Sequence, residues 1–152
     1  YRRPDGVLVK LSRDLRMSHR MYASLSEDDG ATWTTPVQTD IPDSPSKSVA
    51  GTLPDGRIFL IGNQVAPPKG NPETRHYNRD PLTIALSSDG VVFNSAWAIR
   101  HGAPEMLFPG PGKGLGFQYP SAVVADDSLW VIYSVNKEDV AISRVPLAAL
   151  GQ

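Results

Sequence analysis

Cysteine is absent from the 152 residues. That excludes a disulfide scaffold and a thiolate metal centre, and it leaves a secreted, periplasmic or cytoplasmic setting equally open. No apolar run is long enough to cross a bilayer, so no membrane partner is expected. An excess of one charge is missing as well: 15 Lys and Arg face 16 Asp and Glu, for a formal net charge of -1. Scattered charge of this kind offers no basic stripe for nucleic acid, and a neutral or singly charged small ligand suits it better. His19, His76 and His101 stand apart without ligand spacing. The expectation is therefore no metal and no other cofactor.

A sustained helical period is also lacking. The apolar residues come instead in short bursts, as in Gly6-Val7-Leu8-Val9-Lys10-Leu11, Arg57-Ile58-Phe59-Leu60-Ile61 and Ser128-Leu129-Trp130-Val131-Ile132-Tyr133. Such bursts bounded by turn residues read as strands. The 13 glycines and 14 prolines are spread along the chain and punctuate many short elements. Only Val145–Leu150 suits a helical turn, and Pro146 limits it to one. The opening run Tyr1-Arg2-Arg3-Pro4-Asp5 has no apolar signal core and reads as an internal cut in a longer chain.

A repeat organises the strands. One hairpin runs from Val49–Leu53 through Pro54-Asp55-Gly56 to Arg57–Ile61; a second runs from Ser121–Val124 through Asp126-Asp127 to Leu129–Tyr133. The two are expected to superpose residue for residue. The strand after each hairpin also recurs, as Tyr22–Ser26, Thr83–Ser87 and Val140–Ser143, at intervals of about 60 residues. That period is close to one four-stranded propeller blade with a generous loop. Residues 1–152 are thus read as part of a single all-β propeller, holding about two and a half four-stranded blades. The remaining blades of a longer chain would be the partner of its open faces.

The first recurring strand leads into Ser26-Glu27-Asp28-Asp29-Gly30-Ala31-Thr32-Trp33, and the second into Ser87-Ser88-Asp89-Gly90-Val91-Val92-Phe93. A short carboxylate can bond the backbone across a tight turn, a glycine there can take positive φ, and an aromatic ring can fill the gap between strands. Ser26, Asp28, Gly30, Trp33, Asp89, Gly90 and Phe93 are accordingly read as structural staples. The first octet matches the Asp box of the sialidase (neuraminidase) superfamily, also called the BNR repeat, and the second is a shortened copy. With the hairpins in phase, the chain resembles the carboxyl-terminal half of a sialidase-like propeller, usually six-bladed.

The resemblance implies a glycoside hydrolase acting on a glycan or small sugar, and it implies roles for particular residues. Gln118-Tyr119-Pro120-Ser121 is similar to the family's nucleophile strand, which makes Tyr119 the implied catalytic tyrosine. A neutral phenol avoids repulsion from an acidic sugar's own carboxylate. Arg79 is the implied clamp for that carboxylate. Lys47, Asn63, Gln64 and Lys137 lie on loops expected to converge on the same end of the propeller, and are read as substrate-binding. Where the family places its glutamate, this chain has Ser46-Lys47-Ser48, and where a further arginine is expected, it has Asn63-Gln64.

Blander readings stand beside these. Tyr119 could pack at a blade junction, Arg79 could pair with Asp80, and Lys137-Glu138 could form a solvated turn. The long loops from Pro67 to Tyr77 and from His101 to Gly116 exceed ordinary blade connections and carry two of the histidines. Two other functions remain open: a polysaccharide lyase using a tyrosine or histidine base on uronates, and a glycan-binding propeller without catalysis.

Overall fold

A computed structural model describes residues 1–65 and 78–151. Among the described residues, ten strands form three antiparallel sheets. The first contains β1 (Leu8–Ser12), β2 (Arg20–Ser26) and β3 (Val37–Pro42), in that order. The second contains β4 (Val49–Thr52), β5 (Ile58–Gly62), β6 (Leu82–Ser87) and β7 (Ser95–Arg100). The third contains β8 (Phe117–Ala125), β9 (Ser128–Val135) and β10 (Asp139–Pro146). Neighbours in sequence are neighbours in each sheet, which is the meander of a propeller blade. A 3-10 turn at Leu147–Leu150 follows Pro146.

Each sheet packs through side chains that alternate along its strands. Phe59, Ile61, Leu82, Ile84 and Leu86 of the middle sheet meet Phe117, Leu129, Val131 and Tyr133 of the third sheet in one buried cluster. Ile58 and Leu60 are buried on the opposite face of β5. A strand covered on both sides reads as a continuous apolar run, and Ile58–Gly62 is buried throughout. The third sheet's other face is open: Val123, Ile132, Val140 and Ile142 are all exposed.

The two hairpins do not superpose residue for residue. In the first, Leu53 N–H donates to the Arg57 carbonyl across Pro54-Asp55-Gly56, with Gly56 at φ +89°. This is a three-residue loop that needs a positive φ at its last position. In the second, Ala125 pairs directly with Ser128 and Asp126-Asp127 carry φ of 49° and 54°. Two consecutive positive φ values make a two-residue type I′ turn.

A third hairpin lies at the start of the chain. Pro4-Asp5-Gly6 repeats Pro54-Asp55-Gly56 in detail: Gly6 has φ +90°, Arg3 N–H donates to the Val7 carbonyl, and Gly6 N–H donates to the Arg3 carbonyl. An Arg–Asp ion pair closes each copy, Arg3 with Asp5 and Arg57 with Asp55. Tyr1–Arg3 thereby stands to β1 as β4 stands to β5, and β1 takes the place of a blade's second strand. Hairpin tips and Asp-box turns alternate along the chain with the remaining connections, so those connections share the opposite end of the sheets, where the site lies.

Candidate functional site

The site begins with a bulge in β8. Gln118 pairs with Ser134 and pairing resumes at Ser121 with Ile132, so Tyr119 and Pro120 fall outside the ladder. Tyr119 takes φ +54°. A left-handed conformation in an aromatic residue costs about 1–3 kcal/mol and persists only where its surroundings enforce it. The bulge re-aims consecutive side chains: Gln118 is fully buried, whereas Tyr119 is 40% exposed.

Arg79 is buried beside it. Its carbonyl accepts the Phe117 N–H at 2.8 Å, and its Nη1 donates to Gln118 Oε1. Gln118 Nε2 in turn donates to the Gly114 carbonyl. The Arg79 guanidinium carbon lies 5.5 Å from the centre of the Tyr119 ring, within cation–π range. This approach depends on Gly116, which has φ +120° and where a Cβ would sit 2.5 Å from the Arg79 carbonyl oxygen. Only glycine fits there.

Lys137 comes from the tight β9–β10 turn, where Asn136 and Lys137 both have positive φ. Its Nζ is 5.4 Å from the Tyr119 ring centre and donates to the Gly112 carbonyl. With Arg13 and Lys113 these groups line a cup of about 440 Å³ that contains Tyr119 and, among the described residues, no carboxylate. A larger cleft of about 810 Å³ adjoins it and shares Arg13 and Tyr119.

The chemistry of Tyr119 follows from this setting. Partial burial pushes its phenol up, but a hydrogen-bonding Lys137 and the charges of Arg79, Lys137 and Arg13 outweigh that and leave it below the ordinary tyrosine value. Positive charge around a phenol favours its ionised form. The same charges would attract a ligand's carboxylate or other anion.

Two neighbouring residues hold the cup's wall. Asn136 is buried, accepts the Gly116 N–H at 2.9 Å and donates to the Pro104 carbonyl at 2.9 Å. The Glu138 carboxylate accepts the N–H groups of Leu107 and Phe108 and lies 3.5 Å from Lys113 Nζ. Glu138 is therefore an anchor for the 101–116 loop rather than a solvated turn residue. Asp80 does similar work, accepting the Gly102 and Ala103 N–H groups at 3.1 and 2.7 Å, while Arg79 turns to Gln118.

The other residues singled out in the sequence fall at graded distances from the cup. Lys47 donates to Ser121 Oγ at 3.2 Å and lines the larger cleft with Tyr119. Asn63 is buried, and its Nδ2 is shared by the Pro81 and Phe117 carbonyls at 2.9 and 3.2 Å. Gln64 bridges Ser48 Oγ and Thr83 Oγ1. Arg79, Tyr119 and Lys137 thus meet in one cup, Lys47 borders it, and Asn63 and Gln64 make hydrogen bonds within the scaffold. His101 is exposed, and His76, with the Pro67–Tyr77 loop, lies outside the described residues.

Arg13 and Lys113 were not legible as site residues. The signal for Arg13 was present in the repeat: Arg13 follows Gly6 by seven residues, as Asn63 follows Gly56 by seven. The arginine expected after a blade's second strand therefore stands one blade earlier than the hairpin at Pro54 suggests.

Both Asp boxes lie in the β2–β3 and β6–β7 connections, away from the cup. Asp28 accepts the Thr32 hydroxyl at 2.6 Å, the Thr32 N–H at 2.8 Å and the Ser26 hydroxyl at 2.7 Å. These bonds hold its carboxyl at about 2. Asp89 accepts the N–H groups of Val92 and Val91 and the Ser87 hydroxyl, again bringing it to about 2. Gly30 and Gly90 both take positive φ. The aromatic positions differ: Phe93 packs edge-on against Tyr1, whereas Trp33 stays partly exposed beneath Lys10. Among the described residues, no three His, Asp or Glu side chains gather as a metal site, and no helix is long and apolar enough to cross a membrane.

No curated protein matches the chain. The BNR repeat-like domain family matches residues 1–132, a span that holds the first two sheets, both Asp boxes, Arg79 and Tyr119, and the chain belongs to that family.

Proposed function

We propose that this chain contributes the tyrosine half of a carbohydrate-processing site and that the reaction is sialidase-like glycoside hydrolysis of an acidic glycan. Membership of the BNR repeat-like family supports a sialidase-like or carbohydrate-active propeller. The observation that carries the finer reading is the strained, half-exposed Tyr119 in a cup lined by Arg13, Arg79, Lys113 and Lys137.

In this reading the cations take the sugar's carboxylate and so orient the ring. The Tyr119 oxygen then forms a bond to the anomeric carbon as the glycosidic bond breaks, and water later displaces the tyrosine. The phenol gives up its proton to solvent as its bond forms and the departing glycosidic oxygen takes one up from solvent, because among the described residues no carboxyl lines the cup to relay it. Arg79 and Lys137 would stabilise charge on the phenol oxygen, while Lys47 would meet the ligand in the adjoining cleft.

A specific observation also favours the lyase reading. Among the described residues, cations and no carboxylate line the cup with Tyr119, an arrangement suited to a phenolate that removes the proton beside a uronate carboxylate. The two readings separate by product. The protein is incubated with a sialoside and, separately, with uronate polymers, following released sialic acid and the ultraviolet absorbance of an unsaturated sugar. The first reading predicts sialic acid release that Tyr119→Phe lowers by about a hundredfold or more. Unsaturated product would select the lyase, and full turnover by Tyr119→Phe would remove Tyr119 from the chemistry.

A further inference from the structure

We propose that the ligand of this site carries acid groups on two neighbouring sugars: one is held in the cup by Lys137 with Arg79, and the next in the adjoining cleft by Lys47, with Tyr119 between them. The proposal rests on the reading of the cup as the seat of a sugar carboxylate. It deepens that reading by naming the substrate class, an oligosaccharide of successive acidic sugars.

Two cavities meet at Tyr119. The cup of about 440 Å³ and the cleft of about 810 Å³ share Arg13 and Tyr119 as lining residues. Each volume lies in the range of a small-ligand pocket, so a ligand that sets its reacting carbon at Tyr119 has room on both sides of it. The bulge in β8 creates this boundary. It takes Tyr119 out of the ladder and turns its ring outwards, and pairing resumes at Ser121.

Each side of the boundary has its own cation. Lys137 Nζ stands 5.4 Å from the Tyr119 ring centre and donates to the Gly112 carbonyl, itself part of the cup wall. Lys47 lines the cleft and donates to the Ser121 hydroxyl at 3.2 Å, just beyond Tyr119 on β8. Both acceptors are neutral, and among the described residues neither lysine joins an ion pair, so each ammonium keeps its charge for a ligand. Lys113 differs, because its ammonium lies 3.5 Å from the Glu138 carboxylate that anchors the 101–116 loop.

Of the two cavities, Lys137 lines the cup alone and Lys47 the cleft alone. A single carboxylate seated in either one therefore meets one lysine and leaves the other without a counter-charge. Two separate positive poles flanking the reactive tyrosine complement two acid groups on one ligand, and they fix its register as well as its affinity. Successive acidic sugars present acid groups at a repeating interval, whereas a lone acidic sugar joined to a neutral one supplies only the first.

The test is isothermal titration of the whole chain with galacturonate, with digalacturonate and with the fully methyl-esterified dimer. The proposal predicts that the acidic dimer binds about tenfold more tightly than the monomer, the effect of one added charge-assisted contact, and that the esterified dimer loses this gain. Lys47→Met keeps a long side chain without its charge and should remove most of the dimer's advantage over the monomer, whereas Lys47→Arg should keep most of it. Equal binding of monomer and dimer, or an advantage that folded Lys47→Met leaves whole, would overturn the proposal. If Lys47→Met does not fold, added salt decides in the wild-type protein: a steeper loss of affinity for the dimer supports the second charged contact, and equal loss overturns it. Monomer binding without a dimer advantage would leave the reading of the cup standing, while no binding of either acid would remove that reading and this proposal together.

Discussion

At the scale of single residues, the Asp-box carboxylates and Tyr119 show how differently short-range bonds and long-range charge act on an ionisable group. Asp28 and Asp89 are lowered by hydrogen bonds within their own turns, and those bonds exist only in the folded chain. Their folded values, about 2, lie below the ordinary 3.8, so their stabilising effect is fully present above 3.8 and is lost as pH falls towards about 2. Melting temperature measured against pH should therefore show Asp28→Asn and Asp89→Asn less stable than wild type at neutral pH. The difference should shrink through that acid window. A constant difference down to the lowest pH would mean that the carboxylate charge is not what the turn uses.

The Asp boxes were legible in the sequence because all their partners lie within a few residues of one another. Tyr119 was legible as a residue but its surroundings were not. Arg13, Lys113 and Lys137 come from three separate connections, and only the fold brings them to one cup. Lys137 could be singled out from its loop position, yet its contact with the Tyr119 ring depends on positive φ values that Asn136-Lys137 does not announce. Asn63 shows the opposite case: a polar residue on a converging loop, which the structure buries between two backbone carbonyls.

At the scale of elements, the apolar bursts and the repeat identified the inner strands of each sheet, because burial against neighbouring sheets leaves a direct trace in sequence, whereas the mostly exposed outer strands β3 and β7 left none. The turns were harder. Pro54-Asp55-Gly56 and Asp126-Asp127 look like equivalent punctuation, but one closes a three-residue loop and the other a two-residue loop, which shifts the strand register. The opening Pro4-Asp5-Gly6 was hidden for another reason: only three residues precede it, too few to read as a strand without seeing the Tyr1–Val9 pairing.

The junction between Arg79 and Gly116 is the element-level feature on which the site most depends. A parallel bridge joins them, and the Gly116 backbone is also gripped by Asn136. Gly116→Ala should destabilise the protein, by about 1–3 kcal/mol for the strained φ and the displaced Arg79 carbonyl together. It should also weaken binding of an acidic sugar, because Arg79 and the 101–116 loop lose their common support. Chemical denaturation and ligand titration of the same variant would check both. Unchanged stability would show that the chain can open this contact at no cost.

At the scale of the whole molecule, three packed sheets supply a rigid frame whose loops at one end hold the functional groups, an arrangement that lets the loops vary without disturbing the core. Leu129, Val131 and Tyr133 lock the third sheet onto the second, and so fix Tyr119 and Lys137 relative to Arg79. The cup's cations are consequently set by packing and not by a ligand. That preorganisation is what makes a preference for anions expected of this protein.

The most direct measurement is isothermal titration of the protein with sialic acid and with glucuronate, each compared with its methyl ester, in wild type and in Arg79→Met. The account predicts that the free acids bind more tightly than the esters and that Arg79→Met removes most of that difference. Equal binding of acid and ester by the wild-type protein, or no binding of either acid, would contradict it.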